Sequence, residues 1–222
     1  MKSRLFHGMR ILCVASILGL GVGARAKDDP RPQATGTNLP PCCRRAEAVA
    51  KPTDRSLYQL ESEWTSDVGK KVRLGVFHGR PLVLVLFFTQ CEYACPVLVS
   101  DLKRLQEALP GELRGAVDFA LVSLDTARDT PEVLARYRAE HGLGTDHWSL
   151  LTGKADDVRE LAALLGVNYR RDQRGQFSHS NVFTVLDAEG EVIQQTVGLN
   201  QDPRDAVRAL STARRVGKRT GP

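Results

Sequence analysis

The chain has 222 residues, room for one sizeable domain plus extra segments. Its formal charge of +5 sits at the N-terminus: Lys2, Arg4, Arg10 and Arg25 lie in the first 26 residues, which hold no acid, and the 31 basic residues less these four leave 27 against 26 acidic. A near-neutral body without a basic stripe excludes an ordinary nucleic-acid surface.

Basic residues precede an apolar run from Ile11 to Val22, and Ala24-Arg25-Ala26 offers a small-x-small cleavage site. Residues 1–26 therefore read as a secretory signal. A spanning helix needs about 20 apolar residues, more than this run supplies. An uncleaved N-terminal segment is the one membrane contact left open. Cys13 lies early in the run rather than after it, which argues against a lipoprotein cysteine. The expected location is the periplasm or the outer face of the cytoplasmic membrane. Met1 and Met9 leave with the signal, so the mature chain has no thioether ligand.

Residues 27–55 are rich in Pro, Gly, Thr and charge and read as a flexible arm. The arm carries Cys42-Cys43 after Pro40-Pro41. Adjacent cysteines close only a small strained ring, so a mutual disulfide is disfavoured. These accessory thiols remain open between a copper(I) entry site, exchange with other thiols, a bridge to another chain, and no role at all.

The domain is expected over 56–213. Residues 57–60 and 72–74 are candidate short strands. The continuous apolar run at 81–89 predicts a strand buried on both faces. Val97, Leu98, Leu102, Leu105 and Leu109 recur at helical spacing, predicting a helix over 95–109. A second buried strand follows at 117–124. Thr130-Pro131 opens a helix reaching about His141. A short strand at 148–151 and a helix at 155–165, stopped by Gly166, come next. Residues 181–186 and 191–197 flank Asp187-Ala-Glu-Gly190 and read as a hairpin. A last helix spans 202–213. The basic tail at 214–222, with Arg214, Arg215, Lys218 and Arg219, reads as solvated surface. The order implies an α/β sandwich with a mixed central sheet flanked by helices.

Cys91-Glu92-Tyr93-Ala94-Cys95-Pro96 joins the first buried strand to its helix. Two thiols there share a metal ion or form a disulfide, and a helix N-terminus favours thiolates. A strand ending in a cysteine pair that enters a helix is the layout of a thioredoxin-like domain. Redox pairs of that type use two intervening residues; three let both sulfurs face a common ion. Copper(I) suits two thiolates plus an imidazole, and copper(II) accepts them with a fourth ligand.

The segment from Phe87 through Pro96 resembles the Sco/SenC family, thioredoxin-fold copper proteins of respiratory-oxidase assembly. Three further segments agree in order and spacing: Val122 to Glu132, with Asp125 and Asp129; Phe177-Ser178-His179-Ser180; and Val185 to Gly190. The resemblance implies copper held by Cys91, Cys95 and His179. It implies as acceptor the dinuclear copper centre of a respiratory oxidase, or a related copper enzyme. Asp125 stands even between a place behind the site or on a partner surface and helix capping; Asp129 reads as a helix cap with Thr130. Glu92 reads as solvated. His78 in its turn reads as surface, His141 as a helix-end cation, and His147 as packed beside Trp148.

The competing reading is a thiol–disulfide oxidoreductase that reduces its client's copper-ligand cysteines, with Cys91 and Cys95 as catalytic thiols regenerated by a thiol reductant. A peroxidase-type enzyme ranks low, because it needs Thr or Ser three residues before the reactive cysteine, where Phe88 stands.

Overall fold

The fold is that of a computed structural model, which describes residues 53–173 and 176–219, with side chains through Ala213 in the last helix. The residues read as a signal, Cys42, Cys43 and most of the residues read as an arm lie outside the described residues. In chain order come β1 (Trp64–Ser66), β2 (Lys71–Val72), β3 (Leu82–Phe87), α1 (Ala94–Ala108), α2 (Gly111–Arg114), β4 (Asp118–Ser123), α3 (Pro131–Glu140), β5 (Trp148–Thr152), α4 (Ala155–Leu164), β6 (Tyr169–Arg171), β7 (Phe177–His179), β8 (Val182–Leu186), β9 (Val192–Val197) and α5 (Arg204–Arg219).

The seven-stranded sheet runs β2-β1-β5-β4-β3-β8-β9. β3, β4 and β5 are parallel, with Leu82 opposite Asp118 and Phe119 opposite Trp148. β8 is antiparallel to β3, and β9 antiparallel to β8. The α/β class and the mixed sheet are as expected from the sequence.

β3 has no polar residue because neither of its faces meets water: all six residues are buried. Alternation sends Val83, Val85 and Phe87 into one core, with Leu98, Leu102 and Leu105 of α1, Leu134 of α3 and Leu210 of α5. Leu82, Leu84 and Leu86 enter the other, with Val158 and Leu161 of α4 and the N-terminal turns. Full burial of each such side chain contributes roughly 1.5–3 kcal/mol before entropy.

The lead-in region departs from expectation. Residues Leu57–Gln59 and Leu74–Phe77 form 3-10 turns, and the edge hairpin is β1 with β2. Ser56 wins the first segment for a turn: its hydroxyl accepts the Tyr58 N–H and donates to the Glu189 carbonyl at 2.5 Å. His78 is not surface; it is half-buried against Tyr58, with Nε2 enclosed and unpartnered. His147 is half-buried as read, with φ 66° and Nδ1 3.0 Å from Asp118. His141 follows α3, where a cation was expected, but burial lowers its pKa, with Glu140 opposing. The backbone of α5 stays helical through Arg219, into the residues read as a tail.

The β8–β9 turn is the tightest junction in the second core. Asp187 accepts from the N–H groups of Glu189 and Glu191, and Gly190 has φ 86°. A Cβ at Gly190 would lie 2.5 Å from Tyr58 Cδ2 and 2.8 Å from Ser56 Oγ. At Gly69, φ is also positive, at 76°, but a Cβ would meet nothing within 4 Å. Gly190→Ala is therefore expected to cost about 3 kcal/mol, from strain plus overpacking, and Gly69→Ala about 1 kcal/mol. Urea denaturation of the two variants measures the difference; equal losses would refute the packing argument.

Candidate metal centre

The candidate site lies past the carboxyl ends of β3 and β4, the end of the strands at which sites form in open α/β sheets. Phe88 leaves the end of β3, and the Cys91 N–H returns to the Phe88 carbonyl at 3.3 Å. This turn sets Cys91, half-buried, just before α1. Cys95 lies in the first turn of α1 and is fully buried. Both are free thiols, and the Cys95 N–H donates to the Cys91 sulfur at 3.3 Å. Tyr93, between them, is 84% exposed, and Glu92 is exposed as expected.

The helix N-terminus does not decide the state of Cys95. Burial pushes its thiol well above the ordinary value, against the backbone hydrogen bond from Phe88. A thiolate sealed in a low-dielectric core loses more hydration than a helix dipole returns. Cys91 is the accessible sulfur, and Cys95 lies behind it.

His179 reaches this end of the sheet on β7, which pairs only with β6, Tyr169 facing His179. That two-stranded hairpin was not visible in the sequence, because masking polar residues leave no alternation in Tyr169-Arg-Arg171. Phe88 anchors it: the His179 ring meets Phe88 edge-on at 5.9 Å, and the Phe177 ring lies 5.4 Å from Phe88. One aromatic residue thus touches the histidine and, through its backbone, both cysteines.

The tautomer follows from the hydrogen bond. His179 Nδ1 lies 3.1 Å from the Ser180 carbonyl, which only accepts, so Nδ1 carries the proton. Nε2 is then a bare lone pair, buried and without a partner. Burial also lowers the pKa of His179, keeping the ring neutral. A buried acceptor with no donor is costly unless something supplies a positive centre. Two thiols and a neutral imidazole nitrogen are the donor types a copper or zinc ion takes. Among the described residues, no three His, Cys, Asp or Glu side chains are drawn together tightly enough to enclose an ion by themselves.

Asp129 is not the helix cap. Thr130 holds that role, accepting the Val133 N–H at 3.4 Å. Asp129 is fully buried and accepts from Thr89 N–H at 3.0 Å, Thr89 Oγ1 at 2.5 Å and Ser123 Oγ at 2.5 Å. It ties the ends of β3 and β4 together two residues before Cys91. Asp125 is also buried, which removes it from any partner surface. It pairs with Arg128, whose Nη1 donates to Gln90 Oε1 at 2.6 Å. Both acids brace the cysteine loop from behind. Thr89, Ser123, Phe88 and Arg128 are supports that spacing alone did not disclose.

Asp129→Ala strands three donors and is expected to cost about 3 kcal/mol, whereas Thr130→Ala loses one cap, about 1 kcal/mol. Thermal unfolding of both variants checks the ranking; the reverse order would restore the capping role to Asp129.

The chain is similar to known proteins over most of the domain. The sequence profile of the SCO1/SenC family matches residues 50–214. A Stutzerimonas stutzeri protein, provisionally designated copper-binding, is 28% identical over 152 residues, covering 67% of this chain and 72% of its own. The crystal structure of a SCO1/SenC family lipoprotein from Bacillus anthracis superposes with a TM-score of 0.65 at 26% identity, covering 75% of this chain and 99% of that one. Arabidopsis thaliana ScoI, crystallised with copper bound, shares the fold at a TM-score of 0.59 and 21% identity, over 76% of this chain and 99% of its own. The chain spanning these matches, with its cysteine pair at the end of a buried strand and its histidine across Phe88, belongs to the SCO1/SenC family.

Proposed function

We propose that this protein is an exported copper-binding assembly factor. It holds copper through Cys91, Cys95 and His179 and passes it to the dinuclear copper centre of a respiratory oxidase or a related copper enzyme. The carrying observation is the enclosed Nε2 of His179, left a bare acceptor without a partner because Nδ1 bonds Ser180, on a hairpin that Phe88 joins to the turn bearing the free thiols. The provisional copper-binding designation of the Stutzerimonas relative, and the copper bound in the Arabidopsis structure, support the choice of metal.

Copper is the cargo. Cys91, the more exposed sulfur, is placed to meet an incoming ligand first, and Cys95 and His179 lie deeper. Release to an acceptor then proceeds by exchange of thiolate for thiolate, without change in the number of electrons. Asp129, Thr89 and the Arg128 bridge keep the loop in one shape while ligands change. The acceptor's class, and location outside the cytoplasmic membrane, rest on the family and on the N-terminal segment. Among the described residues no helix is long and apolar enough to cross a membrane.

The thiol-reductase reading is the second possibility, favoured by the asymmetry of the pair: an accessible sulfur with a buried one behind it is the arrangement of nucleophile and resolver. It needs an external thiol reductant to restore the pair.

Copper(I) titration of the reduced protein should saturate at one equivalent. His179→Ala should weaken binding by about 1–2 orders of magnitude, the usual cost of losing one ligand or its support, and Cys91→Ser or Cys95→Ser should weaken it more. Binding indifferent to His179, with copper-independent reduction of a client disulfide, would transfer the case to the reductase.

Acidity provides a separate check. Because burial holds Cys95 protonated, binding must expel that proton. Below the thiol pKa the apparent copper affinity should therefore rise with pH, about tenfold per unit for each proton expelled. Competition against a copper(I) chelator across pH 6–8 (roughly the range where thiols stay protonated) reads the slope; a flat profile would refute thiolate ligation by Cys95.

A further inference from the structure

α3 turns Leu134 and Tyr137, three positions apart on one helix face, into the first core. The Tyr137 ring lies 5.2 Å from the ring of Phe87, the last residue of β3. The next backbone N–H, that of Phe88, donates to the Cys95 sulfur. Tyr137, Phe87 and Cys95 therefore meet in one packed cluster at the end of β3.

An enclosed hydroxyl normally has a hydrogen-bond partner. The Tyr137 hydroxyl is enclosed and has none. Tyr58 and Trp64, the other aromatic donors so placed, lie in the second core. Burial first, and then the sulfurs of Cys95 and Cys91, hold the Tyr137 pKa well above its ordinary value, so the group stays a neutral donor. Among its charged neighbours those two sulfurs weigh most on it, ahead of Asp129 and Glu140. The hydroxyls of Thr89 and Ser123, at the ends of β3 and β4, are already committed to Asp129.

Copper(I) held by a pair of thiolates and a neutral imidazole leaves net negative charge on the sulfurs. Cys95 is fully buried, so its share of that charge has no water to solvate it. Donors around a ligand both offset such a charge and hold the ligand in place. We propose that Tyr137 is a positioning residue for Cys95, its hydroxyl donating to the sulfur once copper has replaced the thiol proton. This role rests on the copper-binding reading and adds to it a residue that is not itself a ligand. The same donation serves any step in which Cys95 acts as a thiolate, including closure of a Cys91–Cys95 disulfide.

The test uses the full chain with Cys13, Cys42 and Cys43 replaced by Ser, so that only Cys91 and Cys95 react. In the reduced, metal-free protein the accessible Cys91 thiolate takes one nitrothiobenzoate from dithiobis-nitrobenzoate and releases the other. The Cys95 thiolate then displaces the bound one and closes the disulfide. The cysteine pair is oxidised, the reagent is reduced to free thiolates, and both thiol protons pass to the buffer. Tyr137→Phe should slow the second release about tenfold, the usual worth of a hydrogen bond to a charged group. It should weaken copper(I) binding by about the same factor and shift the thiolate-to-copper band of the copper(II) complex. The unfolding midpoint of the metal-free protein should hold or rise, because an unpartnered buried hydroxyl is removed. Tyr58→Phe removes an equally unpartnered hydroxyl from the other core and should leave release and copper binding unchanged. An unchanged second release or copper affinity in Tyr137→Phe, an equal loss in Tyr58→Phe, or a lowered metal-free midpoint would overturn the assignment. If the parent chain takes up no copper, the copper-binding reading fails, and the release rate still decides whether Tyr137 serves Cys95.

Discussion

Burial of β3 on both faces is the constraint from which the site follows. A strand with no side chain in water cannot slip in register, because a one-residue shift would exchange its two apolar faces between two differently shaped cores. Its end is therefore fixed, and with it the loop that carries Cys91. The fully buried Asp129 extends this control beyond the last ladder hydrogen bond. A carboxylate with three donors from β3 and β4 is intolerant of movement, since each lost donor leaves charge unsolvated. The cysteine loop needs little rigidity of its own.

The same burial sets the chemistry at rest. Low dielectric favours neutral forms, so it raises the Cys95 thiol and lowers the His179 imidazole. Helix-dipole reasoning alone would have made Cys95 a thiolate; desolvation prevails because the sulfur is wholly enclosed. Such a site is quiet without a cation, and a cation supplies what it lacks. The lone pair on His179 is stored ready by a single backbone hydrogen bond, and Phe88 links the histidine's hairpin to the turn bearing the thiols.

The polarity of the sheet gives the domain two chemically distinct ends. Carboxyl ends of β3 and β4 gather thiols, histidine and the acids that brace them. The other end gathers the chain entry and the Gly190 turn. Antiparallel return through β8 and β9 makes this separation unavoidable, since each strand length moves the chain from one end to the other.

Local pattern alone was enough for much of this. Apolar runs and 3.6-residue spacing located β3, β4, α1, α3, α4 and the β8–β9 hairpin, because those signals depend only on which residues must avoid water. The cysteine pair was equally legible, and so was its place between strand and helix. Short elements were not: Ser56 turned an apolar stretch into a 3-10 turn by hydrogen bonding to Glu189, 133 residues away. The β6–β7 hairpin is held by aromatic contacts to Phe88 rather than by alternation. Asp129 looked like a cap because its neighbour is one; only the approach of Thr89 and Ser123 revealed its partners. The fold class and the thiol pair could be read from side-chain chemistry and periodicity, whereas His179 as a candidate donor came from the family resemblance. Which nitrogen of His179 is free and which thiol is sealed were set by the fold, because they depend on burial and on how the backbone presents each side chain.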